Sequence, residues 1–490
     1  MQANGKNQIV ANNLAWRFAE RIGAKGVEFL VSIVLARILA PELYGTIALV
    51  TVFITILQVF VDSGLGNALI QKKNADDTDF STVFYFNIVF CAVLYIILFF
   101  SAPLISMFYE DSSLIPIIRV LGLTIVVSGV KNVQQAYVSR NMLFKKFFFA
   151  TIIGTIGAAV VGIVLAYWGF GVWALVAQQL FNVTVDTIVL WITVKWRPKA
   201  SFSLNRLKAL YSYGWKLLVS SLIEVVYNEI RQLIIGKMYS SEDLAYYNRA
   251  KQFPSFIITN INSSINSVLF PAMSSEQDKR DKVKSMTRNS IKVSTYLIAP
   301  VMVGLAACGE TIIKTVLTEK WLPCFPYLIV FCITFLFYPI HTANLCAIKA
   351  MGRSDLFLKL EVAKKIVGVI ALLISMRYGV LAMAYSLLVV SVLSQIINSW
   401  PNKKLLDYSY FEQLKDIMSA VLLALVMGFV IYWVPVFGLN DYANLSIQVF
   451  LGVIIYYFGS RLFHLESYVF IINLTKEYFH RNKKDKKNDI

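Results

Sequence analysis

The feature that most restricts this chain is a long series of apolar runs separated by short charged stretches. Each run reaches about 20 residues or more, the length a helix needs to cross roughly 30 Å of hydrocarbon. Soluble chains split into domains beyond roughly 250–300 residues, so a water-soluble chain of 490 residues would show polar linkers. Here only 15% of residues are charged and the mean hydropathy is +0.63, against about 25% charged in average soluble domains. The pattern predicts an all-α polytopic membrane protein with about fourteen spans: 12–38, 43–70, 81–109, 114–138, 147–167, 171–194, 211–238, 243–271, 289–317, 325–350, 357–376, 379–400, 413–434 and 444–464. Gly169-Phe170-Gly171 and Tyr378-Gly379 mark tight turns between antiparallel neighbours.

The basic residues supply an independent check on that count. With a cytoplasmic N-terminus, the cytoplasmic segments 1–11, 71–80, 139–146, 195–210, 272–292, 349–359, 401–415 and the tail hold 29 of the 46 Lys and Arg residues. The opposite loops hold almost none beyond Lys320 and Arg377. This asymmetry orients the chain by the positive-inside rule and places both termini on the cytoplasmic side. The formal charge of +17 therefore reports topology. It lies on alternate loops rather than on one domain, which argues against nucleic acid as a partner.

Matches at an offset of about 200 residues suggest an internal repeat: Glu42 with Glu242, Arg37 with Lys237, Asp62 with Asn262 and Leu69 with Leu269. Trp16-Arg17 matches Trp215-Lys216 one residue off that register, and Gly171-Val172-Trp173-Ala174 is similar to Gly379-Val380-Leu381-Ala382. The expected organisation is a six-helix lobe over 1–195, a cytoplasmic linker 196–210 and a second six-helix lobe over 211–400. Two further helices follow in 412–465, then a basic tail, 466–490. Repeats of the same orientation are related by an axis along the membrane normal, and transporters commonly place their substrate between such halves.

Ionisable groups near the bilayer centre cost about 2.5–3.5 kcal/mol each on insertion scales, so their positions are informative. Arg17, Arg21 and Lys25 recur every four residues on one face of the first span. A helix starting only at Gly26 would be too short to cross, so Arg21 and Lys25 fall within membrane depth, where a basic stripe suits a wet cavity. Glu20 and Glu28 lie at neighbouring angles. Glu224, Asn228 and Arg231 share a face of the seventh span, as a cavity wall or as a Glu–Arg pair holding helices together. Thr55, Gln58 and Asp62 form a polar face on the second span; Ser255, Thr259, Asn262 and Asn266 form the matching face on the eighth. Such groups glue helices together or hydrogen-bond sugars. Arg249 and Lys251, Lys131, and Lys364 with Lys365 add positive charge. The inferred cavity suits an anionic, hydroxyl-rich substrate, with Arg as a phosphate partner.

Other features read as structural. The five cysteines show no C-x-x-C and no His at metal-ligand spacing, so they read as small apolar residues, and no metal or cofactor is expected. His341, after Pro339, reads as a buried hydrogen-bonded histidine, with proton coupling as the sharper alternative. Asp77-Thr78-Asp79 spells the D-x-D of nucleotide-sugar enzymes, but in a loop of about ten residues with no surrounding soluble domain it reads as solvated charge. The first apolar run carries charges and lacks a small-residue cleavage site, so no cleaved signal is expected.

Three segments resemble a known family. Leu35-Ala36-Arg37-Ile38-Leu39-Ala40-Pro41-Glu42-Leu43-Tyr44-Gly45 resembles the first connection of bacterial polysaccharide exporters. Asp62-Ser63-Gly64-Leu65-Gly66-Asn67-Ala68-Leu69-Ile70-Gln71 is similar to the end of their second span, and Arg140-Asn141-Met142-Leu143-Phe144-Lys145-Lys146 to the loop after their fourth. The family is the Wzx-type, WzxC-like lipopolysaccharide, O-antigen and polysaccharide flippases, in the superfamily that also holds multidrug (MATE) exporters. The resemblance covers about 12–465. It implies two six-helix lobes around a central cationic cavity and export of an undecaprenyl-pyrophosphate-linked oligosaccharide across the bacterial cytoplasmic membrane. It implies a transporter rather than an enzyme, with lipid-linked oligosaccharide, membrane lipids and a polysaccharide polymerase or export complex as partners.

On this reading Arg17, Arg21 and Lys25, with Arg249 and Lys251, take the pyrophosphate, and the faces of spans 2 and 8 contact the glycan. Asp62, Glu224, Glu229 and Arg231 are the candidates for coupling to a proton or sodium gradient. A cation-coupled drug antiporter is the alternative, and the basic first span argues against it. A membrane glycan polymerase or glycosyltransferase fits less well, because every outward loop is short.

Overall fold

The computed structural model describes residues 23–473 apart from Ser63. All regular structure among them is helical. The chain divides by its internal contacts into two units, Met1–Ala245 and Tyr246–Ile490.

The first unit contains α1 (23–38), α2 (Pro41–Asp62), α3 (Leu65–Gln71), α4 (Asp77–Tyr109), α5 (Leu114–Arg140), α6 (Phe144–Tyr167), α7 (Val172–Thr193), α8 (Leu204–Met238) and the first turn of α9 (Ser241–Ser275). The expected turn at 169–171 is present, with Gly169 and Gly171 at φ 82° and 54°, a region closed to most side chains. α6 and α7 are antiparallel neighbours, α4 packs on α5, and α8 lies against α2, α3 and α4. Glycine makes the α2–α8 approach possible: a Cβ on Gly64 would overlap the Gly214 carbonyl. Gly45 has no room for a side chain either, because its Cβ would fall on the Ser241 backbone. This contact brings the repeat-related Glu42 and Glu242 within hydrogen-bonding reach of each other.

One departure from the sequence reading is instructive. The second span was expected to run unbroken over 43–70, but α2 stops at Asp62 and α3 begins at Leu65, with Gly64 left-handed at φ 67°. A polar residue and a glycine permit the break, and the Gly214 backbone behind it makes glycine obligatory.

The second unit contains the rest of α9, α10 (Arg280–Ala307), α11 (Gly309–Ile312), a π turn (Ile313–Leu317) and a 3₁₀ segment (Glu319–Cys324). After these come α12 (Phe325–Leu336), α13 (Tyr338–Ala350), α14 (Ser354–Ser375), α15 (Val380–Leu406), α16 (Tyr410–Tyr432), a second 3₁₀ turn (Val434–Phe437) and α17 (Asp441–Leu462). α10 is the central helix, packed on α12, α13 and α16. The ninth span, expected over 289–317, is interrupted at Cys308 and passes into a π turn after Ile312, and the tenth is interrupted at Phe337, just ahead of Pro339. A fully buried amide layer joins α13, α15 and α16. Asn344 Nδ2 donates to Gln413 Oε1 at 2.7 Å and to Ser399 Oγ at 3.1 Å, and Asn402 Nδ2 donates to Asn344 Oδ1 at 2.6 Å. Buried amides hold in apolar surroundings only with partners of this kind.

Ten helical stretches among the described residues are long and apolar enough to cross a membrane. α8, α9 and α14 are not among them, because they carry more polar and charged residues, and the first expected span lies partly outside the described residues. Large apolar side chains such as Phe100, Leu104, Ile192 and Phe429 are exposed, which in water would be a liability and in lipid is required. Trp168, Tyr378 and Trp433 are exposed beside helix ends, as in the aromatic belts of membrane proteins. The chain is a multi-pass membrane protein.

Candidate functional site

Several polar groups of the first unit gather where α2 breaks, around the exposed Asp62. Asp62 closes α2, and its Oδ1 accepts from Asn132 Nδ2 of α5 at 3.2 Å and from Gln58 Nε2 one turn back at 3.5 Å. Asn132 Oδ1 in turn accepts from Asn87 Nδ2 of α4 at 3.3 Å. Asn87 has no exposed surface. One residue before Asn132, Lys131 pairs with Asp186 of α7 at 3.0 Å, both side chains largely buried. Lys131 also acts electrostatically on Asp62. Two of these residues, Asn87 and Asp186, were missed in the sequence. Asp186 stood in plain view as the lone carboxylate of the sixth span, and an intramembrane carboxylate is a signal by itself.

The expected site residues distribute unevenly. Arg17 and Arg21 lie outside the described residues. Lys25 is exposed and donates to Glu28 at 2.6 Å. Thr55 is half-buried beside Gln58 on α2. On α8, Glu224 is exposed, Glu229 accepts a hydrogen bond from Gln232, and Arg231 is buried. In the second unit Arg249 is 5% exposed; it stacks over the Trp321 ring at 5.0 Å and donates to Gln252 Oε1 at 2.8 Å. Lys251 and Ser255 are half-buried, Ser255 donating to the Gln252 carbonyl at 3.3 Å. Thr259 is exposed and Asn266 half-buried. Asn262 is buried, and neither of its amide atoms has a hydrogen-bond partner among the described residues. His341 Nδ1 lies 2.6 Å from Asn398 Nδ2, the hydrogen-bonded histidine expected.

The D-x-D loop has a structural role. Asp79 is fully buried, and both its oxygens accept from Lys72 Nζ at 2.7 Å. Asp77 pairs with Lys199 at 2.6 Å and accepts from Trp196 Nε1 at 3.2 Å. Arg206 bonds Asp76, and this holds the Asp76 carboxyl down to about 2. The loop thus clamps the 194–203 linker and the start of α8 to α4. Its carboxylates are engaged by cations of the chain itself, which leaves no paired ligands for a metal–nucleotide complex. Among the described residues no group of His, Cys, Asp and Glu is arranged to hold a metal ion.

The second unit contains two apolar grooves, each within that unit. One of about 800 Å³ lies along α9 and α10 and is lined by Ile261, Ile265, Leu269, Val293 and Leu297, with Phe470. The other, of about 460 Å³, is bounded by α10, α16 and α17 near Val301, Met427 and Val453. Grooves of this depth and polarity accept hydrocarbon chains.

Comparison with known proteins places this geometry in a family. The chain is 25% identical over 416 residues to the teichuronic acid biosynthesis protein TuaB of Bacillus subtilis, covering 82% of this chain and 84% of that one. It is 26% identical over 322 residues to the succinoglycan biosynthesis transport protein ExoT of Rhizobium meliloti, covering 66% of this chain and 65% of that one. The fold is that of the lipid II flippase MurJ in an inward closed conformation, with a TM-score of 0.73 at 16% identity over 91% of this chain and 98% of that one. A multidrug MATE transporter in an inward-facing conformation has the same fold, with a TM-score of 0.59 at 15% identity over 78% and 95%. The sequence profile of one family, described as polysaccharide biosynthesis protein, matches residues 34–326. More than half of the chain carries that profile, and the chain belongs to this polysaccharide biosynthesis family.

Proposed function

We propose that this protein flips an undecaprenyl-pyrophosphate-linked oligosaccharide from the cytoplasmic to the outer leaflet of a bacterial cytoplasmic membrane, by alternating access. The observation that carries the reading is family membership joined to a transporter fold: a polysaccharide biosynthesis profile over 34–326 and a MurJ-like fold over 91% of the chain. ExoT, a relative named as a transport protein, supports it. The basic loops favour cytoplasmic termini. In this mechanism Arg17, Arg21 and Lys25 take the pyrophosphate through charge-assisted hydrogen bonds. The polar faces of α2 and α9 contact the glycan, and the prenyl chain stays in hydrocarbon, for which the apolar grooves are suited. A proton or sodium gradient supplies the driving force.

Reconstituted protein in proteoliposomes with a fluorescent prenyl-pyrophosphate oligosaccharide tests the reading. A membrane-impermeant reagent scores label that has changed leaflet. The expected result is protein-dependent movement, reduced at least about tenfold in the Arg21→Gln/Lys25→Gln variant, since each lost charge-assisted bond is worth about 1.5–3 kcal/mol. Uptake of organic cations with no movement of any anionic glycolipid would reassign the protein to drug export. Normal movement by the variant would keep the function and remove the basic stripe from it.

A further inference from the structure

α17 ends in a turn that sends the chain back onto α10. His464 is left-handed at φ 48°, and the Leu465 N–H donates to the Ser460 carbonyl at 3.1 Å, a closure by which many helices stop. The reversal buries Leu465 and Ser467 and starts a further helical segment over 466–473. Its first residues grip α10 at one place. Glu466 pairs with Lys292 Nζ, and Ser467 Oγ donates to the Lys292 carbonyl at 3.3 Å. Tyr468 meets the Tyr457 ring of α17 edge-on, with 5.9 Å between centroids. One turn after Glu466, Phe470 completes the wall of the groove of about 800 Å³ that lies along α9 and α10.

This fastening is built to come undone. The Lys292 side chain is only 11% exposed, and an ammonium so placed is costly to leave without a carboxylate. Asp416 of α16 supplies one. It lies 3.3 Å from the same Nζ and is itself fixed by Arg288 at 2.6 Å and by the Tyr408 hydroxyl at 2.8 Å. Lys292 therefore keeps a partner when Glu466 leaves. Glu466 is 80% exposed and regains water on leaving, so its side of the pair holds weakly. Phe470 is partly exposed, so it covers the groove without being buried in it. The remaining lining, Ile265, Leu269, Val293 and Leu297 among it, is apolar.

We propose that segment 466–473 is a releasable strap over the α9–α10 groove. Fastened at Lys292, it holds Phe470 against the groove and keeps the chains of surrounding lipids out. Released at Glu466, it admits one hydrocarbon chain of a membrane lipid. From Met286 to Leu297 α10 rises about 16 Å, close to half of the roughly 30 Å of hydrocarbon, so the groove spans a single leaflet. The Lys- and Arg-rich segment 272–292 makes that leaflet the cytoplasmic one by the positive-inside rule. That the admitted chain belongs to a transported lipid rests on the flippase reading above; the strap does not.

Photolabelling tests the strap without requiring transport. The full chain is placed in nanodiscs of phosphatidylglycerol and phosphatidylethanolamine, with either a phospholipid bearing a diazirine on its acyl chain or a diazirine-bearing polyprenyl phosphate. Mass spectrometry scores label on α9 and α10 relative to the exposed Ile370 of α14. Glu466→Gln unfastens the strap, and Phe470→Ala removes the side chain that covers the groove. Each should raise labelling around Ile265 and Val293 about twofold to fivefold, the scale set by a mostly exposed ion pair. Glu412→Gln disturbs the Ser409 cap of α16 beside the same ion pairs but not the strap, and should leave labelling unchanged. A rise with both probes opens the groove to any lipid chain; a rise with one alone assigns it to that chain. No rise in either variant with either probe, or an equal rise in Glu412→Gln, would overturn the strap. A protein that gains label and flips nothing keeps the strap and loses the flippase reading, whereas one that flips normally and gains no label loses the strap alone.

Discussion

Replacing Asp79 by alanine tests whether the D-x-D loop is a clamp or a catalytic remnant. Asp79 is completely buried and receives Lys72 Nζ on both oxygens at 2.7 Å, the Asp76 backbone N–H at 3.2 Å and an ion pair from Arg206 at 3.4 Å. Breaking a buried ion pair from one side costs about 3–5 kcal/mol. Lys72 keeps 35% of its side chain exposed and can recover some hydration, so the lower end, about 3 kcal/mol, is expected. Asp77→Ala is the internal control. It disrupts a pair whose side chains are 46% and 67% exposed, worth about 0–1 kcal/mol, plus one indole hydrogen bond of about 1 kcal/mol.

All five cysteines are free and buried, so a thiol-reactive fluorophore reports the thermal unfolding of the protein in detergent. Asp79→Ala should lower the midpoint clearly, by several degrees, and Asp77→Ala by a smaller amount, roughly one third to two thirds of it. Asp79→Asn should fall between them, since an amide fits the space and loses the charge. Equal midpoints for Asp79→Ala and wild type would refute the clamp. A rise in midpoint with manganese or a nucleotide sugar, abolished by either substitution, would restore the enzymatic reading.

Two further outcomes follow from the same contacts. Gly45→Ala places a Cβ on the Ser241 backbone, which cannot rotate away, so overpacking should cost about 1–3 kcal/mol and lower both expression and the unfolding midpoint; an unchanged midpoint would mean the first turns of α2 and α9 are not pressed together. Asp76 is held down to about 2, first by its hydrogen bond from Arg206, against an ordinary 3.8. A depressed carboxyl stabilises above its unfolded value and loses that contribution as pH falls through the folded one. Tryptophan-monitored stability of the wild type relative to Arg206→Gln should therefore be constant from pH 8 to 5, and the difference should shrink between about pH 4 and 2; a difference that persists at pH 2 would exclude the Asp76–Arg206 bond as its source.

The membrane fold was readable because lipid imposes one rule on every span: apolar length, with polarity confined to the ends. That rule is local, so a single sequence carries it. The turns at 169–171 and 378–379 were readable for a similar reason, since positive φ selects glycine without reference to the rest of the chain. Partners distant in sequence were not readable. Arg249 looked like a cavity cation on its helical face, yet its ring partner, Trp321, is brought to it by the 3₁₀ segment after α11. Asp77 looked solvated until Lys199 and Trp196 met it from the far end of the linker.

The break at Gly64 lies between these two cases, and it explains why the candidate site was only half seen. Glycine is common in membrane helices, so Ser63-Gly64 within a run that stays apolar on both sides did not announce a helix end. Asp62 accordingly read as one polar residue on a continuous face with Thr55 and Gln58, and as a coupling candidate for its charge alone. The end of α2 is forced from outside, by the Gly214 backbone of α8 pressed against Gly64. Asp62 stands beside this break rather than in the middle of a continuous helix. Its partners there are Asn132 of α5 and Gln58 one turn back, with Lys131 acting on it electrostatically. The contact that forces the break joins two glycines about 150 residues apart, and no pattern within a single span announces it.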